Sequence, residues 1–328
     1  MYDSIITLDN LLIAWQEFLC GKRNKKDTQE FGRNLMCNII SLHNDLKNKN
    51  YQHGKYESFK LSDPKPRDIH KSSVRDRLLH HAIYRILYPY FDKKFICDSY
   101  SCRLGKGTHK ANERFKNLSR KVSKNNTRTC WILKCDIRKF FANIDHKILM
   151  QTLEKHINDD DTVWLLGRVI ESFTTKGKIN DGLPLGNLTS QLFVNIYMNK
   201  FDQFVKHQLK EKYYIRYADD FVFMSDNKTY LEELIPKISG FLENNLKLSL
   251  HPDKLFIKTL SSGLDFLGWI HFPKHKVLRT ATKKRMFRNI IKKAGKRETI
   301  QSYLGLLKHG NTEKIRKKVV KHNVDTTA

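Results

Sequence analysis

The chain has 328 residues, 61 Lys+Arg against 34 Asp+Glu, a formal net charge of +27 and 40% hydrophobic residues. That length and apolar share support a buried core and one enzyme of two or three subdomains. The charge is the footprint of a polyanion partner, although a membrane-surface or ribosome binder would also be basic. No apolar run reaches membrane-spanning length, and Met1-Tyr2-Asp3-Ser4 lacks a basic signal-peptide opening, so no membrane association is expected. Cys20, Cys37, Cys97, Cys102, Cys130 and Cys135 form neither a Cys-x-x-Cys pair nor a zinc-type Cys/His spacing. A reducing cytoplasm is therefore the expected compartment.

Residues 1–50 read as helices, from Leu11 to Phe18 and from Leu35 to Leu46, separated by the charged stretch Gly21 to Asp27. Tyr56 to Leu61 reads as a strand, followed by the turn Ser62-Asp63-Pro64-Lys65-Pro66 and by Arg67-Asp68-Ile69. Arg75 to Phe91 is a helix closed by Tyr88-Pro89. In Tyr100 to His109, Gly105 and Gly107 permit close backbone approach, while the spacing of a nucleotide phosphate loop is missing. Cys130 to Asp136 is a buried strand ending in an acid, and Asp145 caps the helix that follows. Further helices are expected from Leu188 to about Leu209 and from Lys228 to Leu246, with paired strands from Leu264 to Arg279. Thr280 to Lys321 is helical and basic, with Met286, Phe287, Ile290 and Ile291 forming a packing face.

The chemistry concentrates at Tyr217-Ala218-Asp219-Asp220, between the strand-forming runs Tyr213 to Arg216 and Phe221 to Met224. Taken alone, this could be a polar turn, where Asp is common. Two adjacent carboxylates at an apolar bend raise each other's pKa and ionise comfortably only beside a cation. Asp136 supplies a third carboxylate at a strand end. Hard oxygen ligands in this pattern suit Mg²⁺ and two-metal phosphoryl transfer.

These motifs resemble those of reverse transcriptases, over the span from about Tyr51 to His309. Asp136-Ile137-Arg138-Lys139-Phe140-Phe141 resembles that family's first catalytic block. Gly182-Leu183-Pro184-Leu185-Gly186-Asn187-Leu188-Thr189-Ser190-Gln191 resembles the second, and Arg216 to Phe221 the third. Leu248 to Lys254 and Phe266-Leu267-Gly268-Trp269 resemble the later lysine block and the primer grip. Leu185 before the Gly, with Ser190-Gln191 closing the block, resembles the diversity-generating retroelement branch, where most relatives carry Gln and Ser-Pro.

The resemblance implies an α+β right-hand polymerase fold of fingers, split βαββαβ palm and small helical thumb. It implies a helical extension over 1–50, fingers over 51–130, palm over 131–274 with a fingers segment around 160–187, and a basic thumb over 275–328. No RNase H, maturase or endonuclease domain is expected within these residues. The implied activity is an RNA-directed DNA polymerase that copies a template-repeat RNA into cDNA with adenine-directed errors, diversifying a target gene. Asp136, Asp219 and Asp220 would hold two Mg²⁺ ions, with Ile137 contributing its carbonyl and Lys254 acting as general acid. Lys60 or Lys65, Arg67, Phe141 as a steric gate, Leu185, Gly186 and Gln191 would surround the incoming dNTP. Arg103, Lys106, Phe266, Leu267, Gly268 and Trp269 would meet the template and the cDNA primer–template duplex. The branch also implies a small basic pentameric accessory protein and a bacterial or phage-encoded enzyme. A retron, group II-like or defence-associated reverse transcriptase is the alternative, and a non-catalytic RNA-binding protein on the same fold is a more distant one.

Overall fold

The computed structural model describes residues 1–62, 66–293 and 296–324, with side chains through residue 320. The chain divides into two compact units. The first comprises Met1–Arg103, Ile137–Lys210 and Ile238–Leu250; the second comprises Leu104–Asp136, Glu211–Lys237 and the chain from His251 onward.

The first unit opens with α1 (Tyr2–Ile6), α2 (Leu8–Phe18), α3 (Lys26–Arg33) and α4 (Leu35–Lys47). Leu11, Trp15 and Phe18 of α2 and Ile39, Leu42 and Leu46 of α4 are buried at helical spacing. The antiparallel hairpin β1 (Glu57–Leu61) and β2 (Arg67–Lys71) follows, with Lys60 opposite Asp68 and Leu61 opposite Arg67. The expected turn between these strands lies partly outside the described residues. Next comes α5 (Val74–Asp92), capped by Ser73 Oγ, which accepts from the Asp76 amide at 3.1 Å. It passes through Pro89 to Asp92, one residue beyond the expected end at Phe91. Leu79, Ile83, Leu87 and Phe91 are buried along it on both sides of the proline, and that burial outweighs the single amide bond Pro89 cannot make.

The second unit holds α6 (Thr108–Val122) and the strand β3 (Trp131–Asp136). The chain then contributes α7 (His146–Glu154), α8 (Asp160–Glu171) and α9 (Leu188–Gln203) to the first unit. As expected, Asp145 caps α7, its Oδ1 accepting from the Ile148 amide at 2.8 Å. The elements β4 (Tyr214–Tyr217), β5 (Asp220–Ser225), α10 (Lys228–Leu246) and β6 (Phe256–Thr259) follow. The four strands form one antiparallel sheet in the order β4-β5-β3-β6. With the intervening helices this is the split βαββαβ arrangement of a right-hand polymerase palm. The paired strands near the C-terminus are three, β7 (Leu264–Phe266), β8 (Trp269–His271) and β9 (Lys276–Leu278). The basic helices α11 (Thr280–Lys292), α12 (Arg297–Leu307) and α13 (Glu313–Val324) come last. Trp269, Leu278, Met286, Ile290, Ile300, Leu307 and Val319 form one buried cluster that fastens these helices to the small sheet. No helix among the described residues is long and apolar enough to cross a membrane.

Candidate active site

The palm sheet is built on apolar positions, and Lys134, Asp136, Arg216 and Asp220 lie toward one end of it. In β3 the four residues Ile132, Leu133, Lys134 and Cys135 are buried, and Asp136 ends the strand directly opposite Asp220 of β5. Tyr217 pairs with Asp220, so Ala218 and Asp219 make a two-residue turn. Ala218 adopts φ 56° there, a left-handed conformation that costs a non-glycine residue about 1–2 kcal/mol. The fully buried Arg216 braces the turn, donating from Nη1 to the Ala218 carbonyl at 3.1 Å.

Each of two carboxylates meets a lysine. Lys254 Nζ donates to Asp136 Oδ1 at 2.7 Å, held near the strand end because the His251 amide donates to the Asp136 carbonyl at 2.8 Å. Lys134 Nζ lies 3.3 Å from Asp220 Oδ2 and donates to the Asp265 carbonyl of β7 at 2.7 Å. Burial pushes the Asp220 carboxyl up to about 6; Lys134 opposes the rise, while Asp136 and Asp219 add to it. Asp220 Oδ1 is buried and has no hydrogen-bond partner among the described residues. Among the described residues no three acidic, histidine or cysteine side chains converge on one point able to hold an ion. Asp136 and Asp220 turn instead to their lysines. An unpaired buried carboxylate oxygen beside two further carboxylates is nonetheless a donor set short of positive charge, which fits a hard divalent cation such as Mg²⁺.

In the first unit, Lys60, Phe141 and Leu185 line one cavity of about 600 Å³, together with Ser58, His70 and Leu183. Phe141 lies in the short turn Phe140–Asn143, where its carbonyl accepts from the Leu183 amide at 2.8 Å. The β2 strand lies on the second block: the His70 amide donates to the Leu185 carbonyl at 3.1 Å. Gly186 has φ 116°, and a Cβ there would stand 3.2 Å from Ile69 Cγ2. Gln191 is half-buried in the first turn of α9. Arg67 opens β2 in an exposed position, and Lys65 lies outside the described residues. Ile137, also in this unit, is buried and bridges Leu250.

Two expectations need correction. Arg103 is not available to a template phosphate. Its guanidinium donates to Asp92 Oδ1 at 2.6 Å, to the Ile96 and Ser99 carbonyls at 2.7 and 3.0 Å, and to the Asp92 carbonyl at 3.2 Å. It is a clasp closing the loop after α5, while Lys106 lies in the turn before α6. Phe266 and Trp269 are core residues, Phe266 stacking on Phe115 with ring centroids 5.4 Å apart. The part of that hairpin presented outward is the turn Leu267-Gly268, both residues at positive φ. Lys134 was missed altogether. Its signal was a lysine inside an otherwise apolar strand, two residues before Asp136 and so on the same face.

The reverse transcriptase (RNA-dependent DNA polymerase) family matches residues 60–271 of the chain. Protein YkfC of Escherichia coli K12 is 27% identical over 247 residues, covering 63% of each chain. The group II intron-encoded protein LtrA of Lactococcus lactis subsp. cremoris is 23% identical over 276 residues, covering 64% of this chain and 45% of LtrA. The chain thus spans less than two thirds of the length of either relative. The apo telomerase of Candida tropicalis shares the fold with a TM-score of 0.55 at 13% identity, covering 84% of this chain and 57% of that one.

Proposed function

Because the chain belongs to the reverse transcriptase family, matched over residues 60–271, we propose that it is an RNA-directed DNA polymerase extending a primer with dNTPs on an RNA template. The observation that supports this most is the register of Asp136 opposite Asp220 at the end of the palm sheet, with Asp219 in the adjoining turn. Asp136, Asp219 and Asp220 would hold two Mg²⁺ ions, the open Oδ1 of Asp220 being one donor and the Ile137 carbonyl another. When bound, such ions activate a 3′-hydroxyl and neutralise charge on a triphosphate. Lys254 would release its hydrogen bond to Asp136 and give a proton to the departing pyrophosphate. Lys60 and Arg67 would grip the triphosphate, with Lys65 as the other candidate lysine. Phe141 would fill the space a ribose 2′-hydroxyl needs, and Leu185 and Gln191 would complete the nucleotide's surroundings.

The finer reading is a diversity-generating retroelement enzyme that copies a template-repeat RNA with errors at adenines. Leu185-Gly186 and Ser190-Gln191 support it, and it carries a structured template RNA and a small basic pentameric accessory protein as partners. The similarity to LtrA favours a second reading, a group II-like enzyme copying another RNA.

The test is primer extension on a defined RNA with dNTPs. Asp219→Ala should lose cDNA synthesis by at least about a thousandfold, since such ions supply much of the rate, while RNA binding persists. Near-normal extension by that variant would overturn the site. Sequencing the cDNA separates the two readings: errors concentrated opposite template adenines belong to the first alone.

A further inference from the structure

We propose that the cavity lined by α6, the β8–β9 hairpin and the α12–α13 turn, all within the second unit, binds a nucleotide unit: a planar base carrying a phosphate. It shares no lining residue with the cavity around Phe141, none of Asp136, Asp219 and Asp220 lines it, and none of the catalytic blocks accounts for it. Its volume is about 440 Å³, within the usual range of small-ligand sites.

The cavity is built by backbone contacts. The Asn311 amide donates to the Lys276 carbonyl at 2.8 Å, tying the α12–α13 turn to β9. Gly310 sits so close to Trp269 that a Cβ would stand 2.1 Å from the ring, so only glycine lets the turn approach. One wall is the face of α6 that carries Asn112, Lys116 and Ser119 at helical spacing.

Three features define the ligand. Lys116, Lys274, Lys276 and Lys308 line the cavity against Glu113 alone among the acids of the described residues, which selects an anion. Lys276 Nζ lies over the Trp269 ring at 5.1 Å, and burial lowers its pKa, so a phosphate would satisfy a cation already drawn from water. Flat surfaces flank the lysines. His309 stacks on His109 with centroids 3.8 Å apart, and His275 stacks on Phe272 at 4.9 Å. Rings of this kind carry a nucleobase.

The third feature is an unsatisfied amide. Asn112 is 1% exposed; its Oδ1 lies 2.9 Å from His271 Nε2, and its Nδ2 has no partner among the described residues. His271 is buried, with its pKa pushed down to about 3 by burial and by Lys276, so the ring carries a single proton. That proton goes either to the Phe266 carbonyl or to Asn112, and in both cases one polar atom of the Asn112 amide is left over. An unpaired buried amide costs about 1–3 kcal/mol, and the hydrogen-bonding edge of a base would remove that cost. Inorganic phosphate would use the lysines but neither the rings nor the amide.

The nucleotide could be free, or it could be the unpaired end of a strand. Binding is measured by calorimetry on the full chain in EDTA without template, so the outcome is independent of polymerase chemistry. Deoxyadenosine monophosphate, inorganic phosphate and a duplex with one unpaired 3′ nucleotide are titrated in parallel. We expect one site for the mononucleotide, or for the strand end alone if that is the source. Lys276→Ala with Lys308→Ala should weaken it at least tenfold, and so should Asn112→Leu, while Lys237→Ala leaves it unchanged. Should Asn112→Leu fail to fold, the double lysine variant decides. Equal affinity for phosphate, indifference to the lysine variants, or no binding of either nucleotide probe up to about 1 mM would overturn the proposal.

Discussion

Lys134 holds two parts of the second unit together, meeting Asp220 through an ion pair and the Asp265 carbonyl through a hydrogen bond. Lys134→Met keeps the stem's apolar packing and removes the charge, leaving Asp220 buried without its counter-ion. Extension should then fall by roughly tenfold to a hundredfold and need more Mg²⁺ for half-maximal rate, with Lys134→Arg recovering part of it. A magnesium titration of primer extension that matches wild type would show Lys134 to be packing only. Leu185 makes a different kind of contribution, since its side chain offers no directional hydrogen bond beside the Phe141 cavity. A hydrogen bond of about 1 kcal/mol can separate correct from incorrect nucleotides when only the correct pair aligns with it. Leu185→Gln should therefore lower misincorporation opposite template adenine while polymerisation persists. Unchanged adenine errors in an active variant would remove Leu185 from the determinants of fidelity.

At the scale of elements, Asp27 of α3 joins three segments of the first unit, 2.9 Å from Lys71 Nζ of β2 and 2.6 Å from Arg77 Nη2 of α5. Burial alone would raise its pKa, but Lys71 and Arg77 outweigh burial and hold it down at about 2. A depressed carboxyl stabilises the fold fully above its unfolded pKa, near 4, and loses that contribution as pH falls toward about 2. These groups are about a third exposed or less, so Asp27→Asn should cost only about 1 kcal/mol at pH 7. Urea midpoints of wild type and variant should converge between about pH 4 and pH 2; a gap that persists there would assign the loss to packing. Sequence periodicity located β3, the β4–β5 turn and α10, because burial of alternating or helically spaced apolar residues is written locally. It also carried α5 past Pro89 to Phe91, one residue short of its end, because buried apolar residues recur at helical spacing on both sides of the proline. By contrast Arg103 read as a phosphate contact, since its clasp depends on carbonyls of a loop whose path no motif encodes.

Across the whole molecule, charge and core are separated within the second unit. The apolar cluster of Met286, Ile290, Ile300, Leu307 and Val319 with Trp269 uses one side of each terminal helix. Lys283, Lys284 and Arg288 are exposed on α11, part of the excess that brings the chain to a net charge of +27. A surface of that sign binds nucleic acid chiefly by releasing condensed counterions, so affinity should fall linearly in a log–log plot against salt. Each phosphate contact contributes a slope of about 0.7–0.9, depending on whether the strand is single or paired. Lys283→Ala with Lys284→Ala leaves the buried cluster untouched and should weaken binding similarly for unrelated sequences, because phosphates carry no sequence information. The slope should drop by about one to two. Fluorescence anisotropy with two unrelated primer–template duplexes across roughly 50–200 mM salt provides the measurement. A slope equal to wild type would mean that α11 does not touch the backbone, and a loss confined to one duplex would mean that it reads bases.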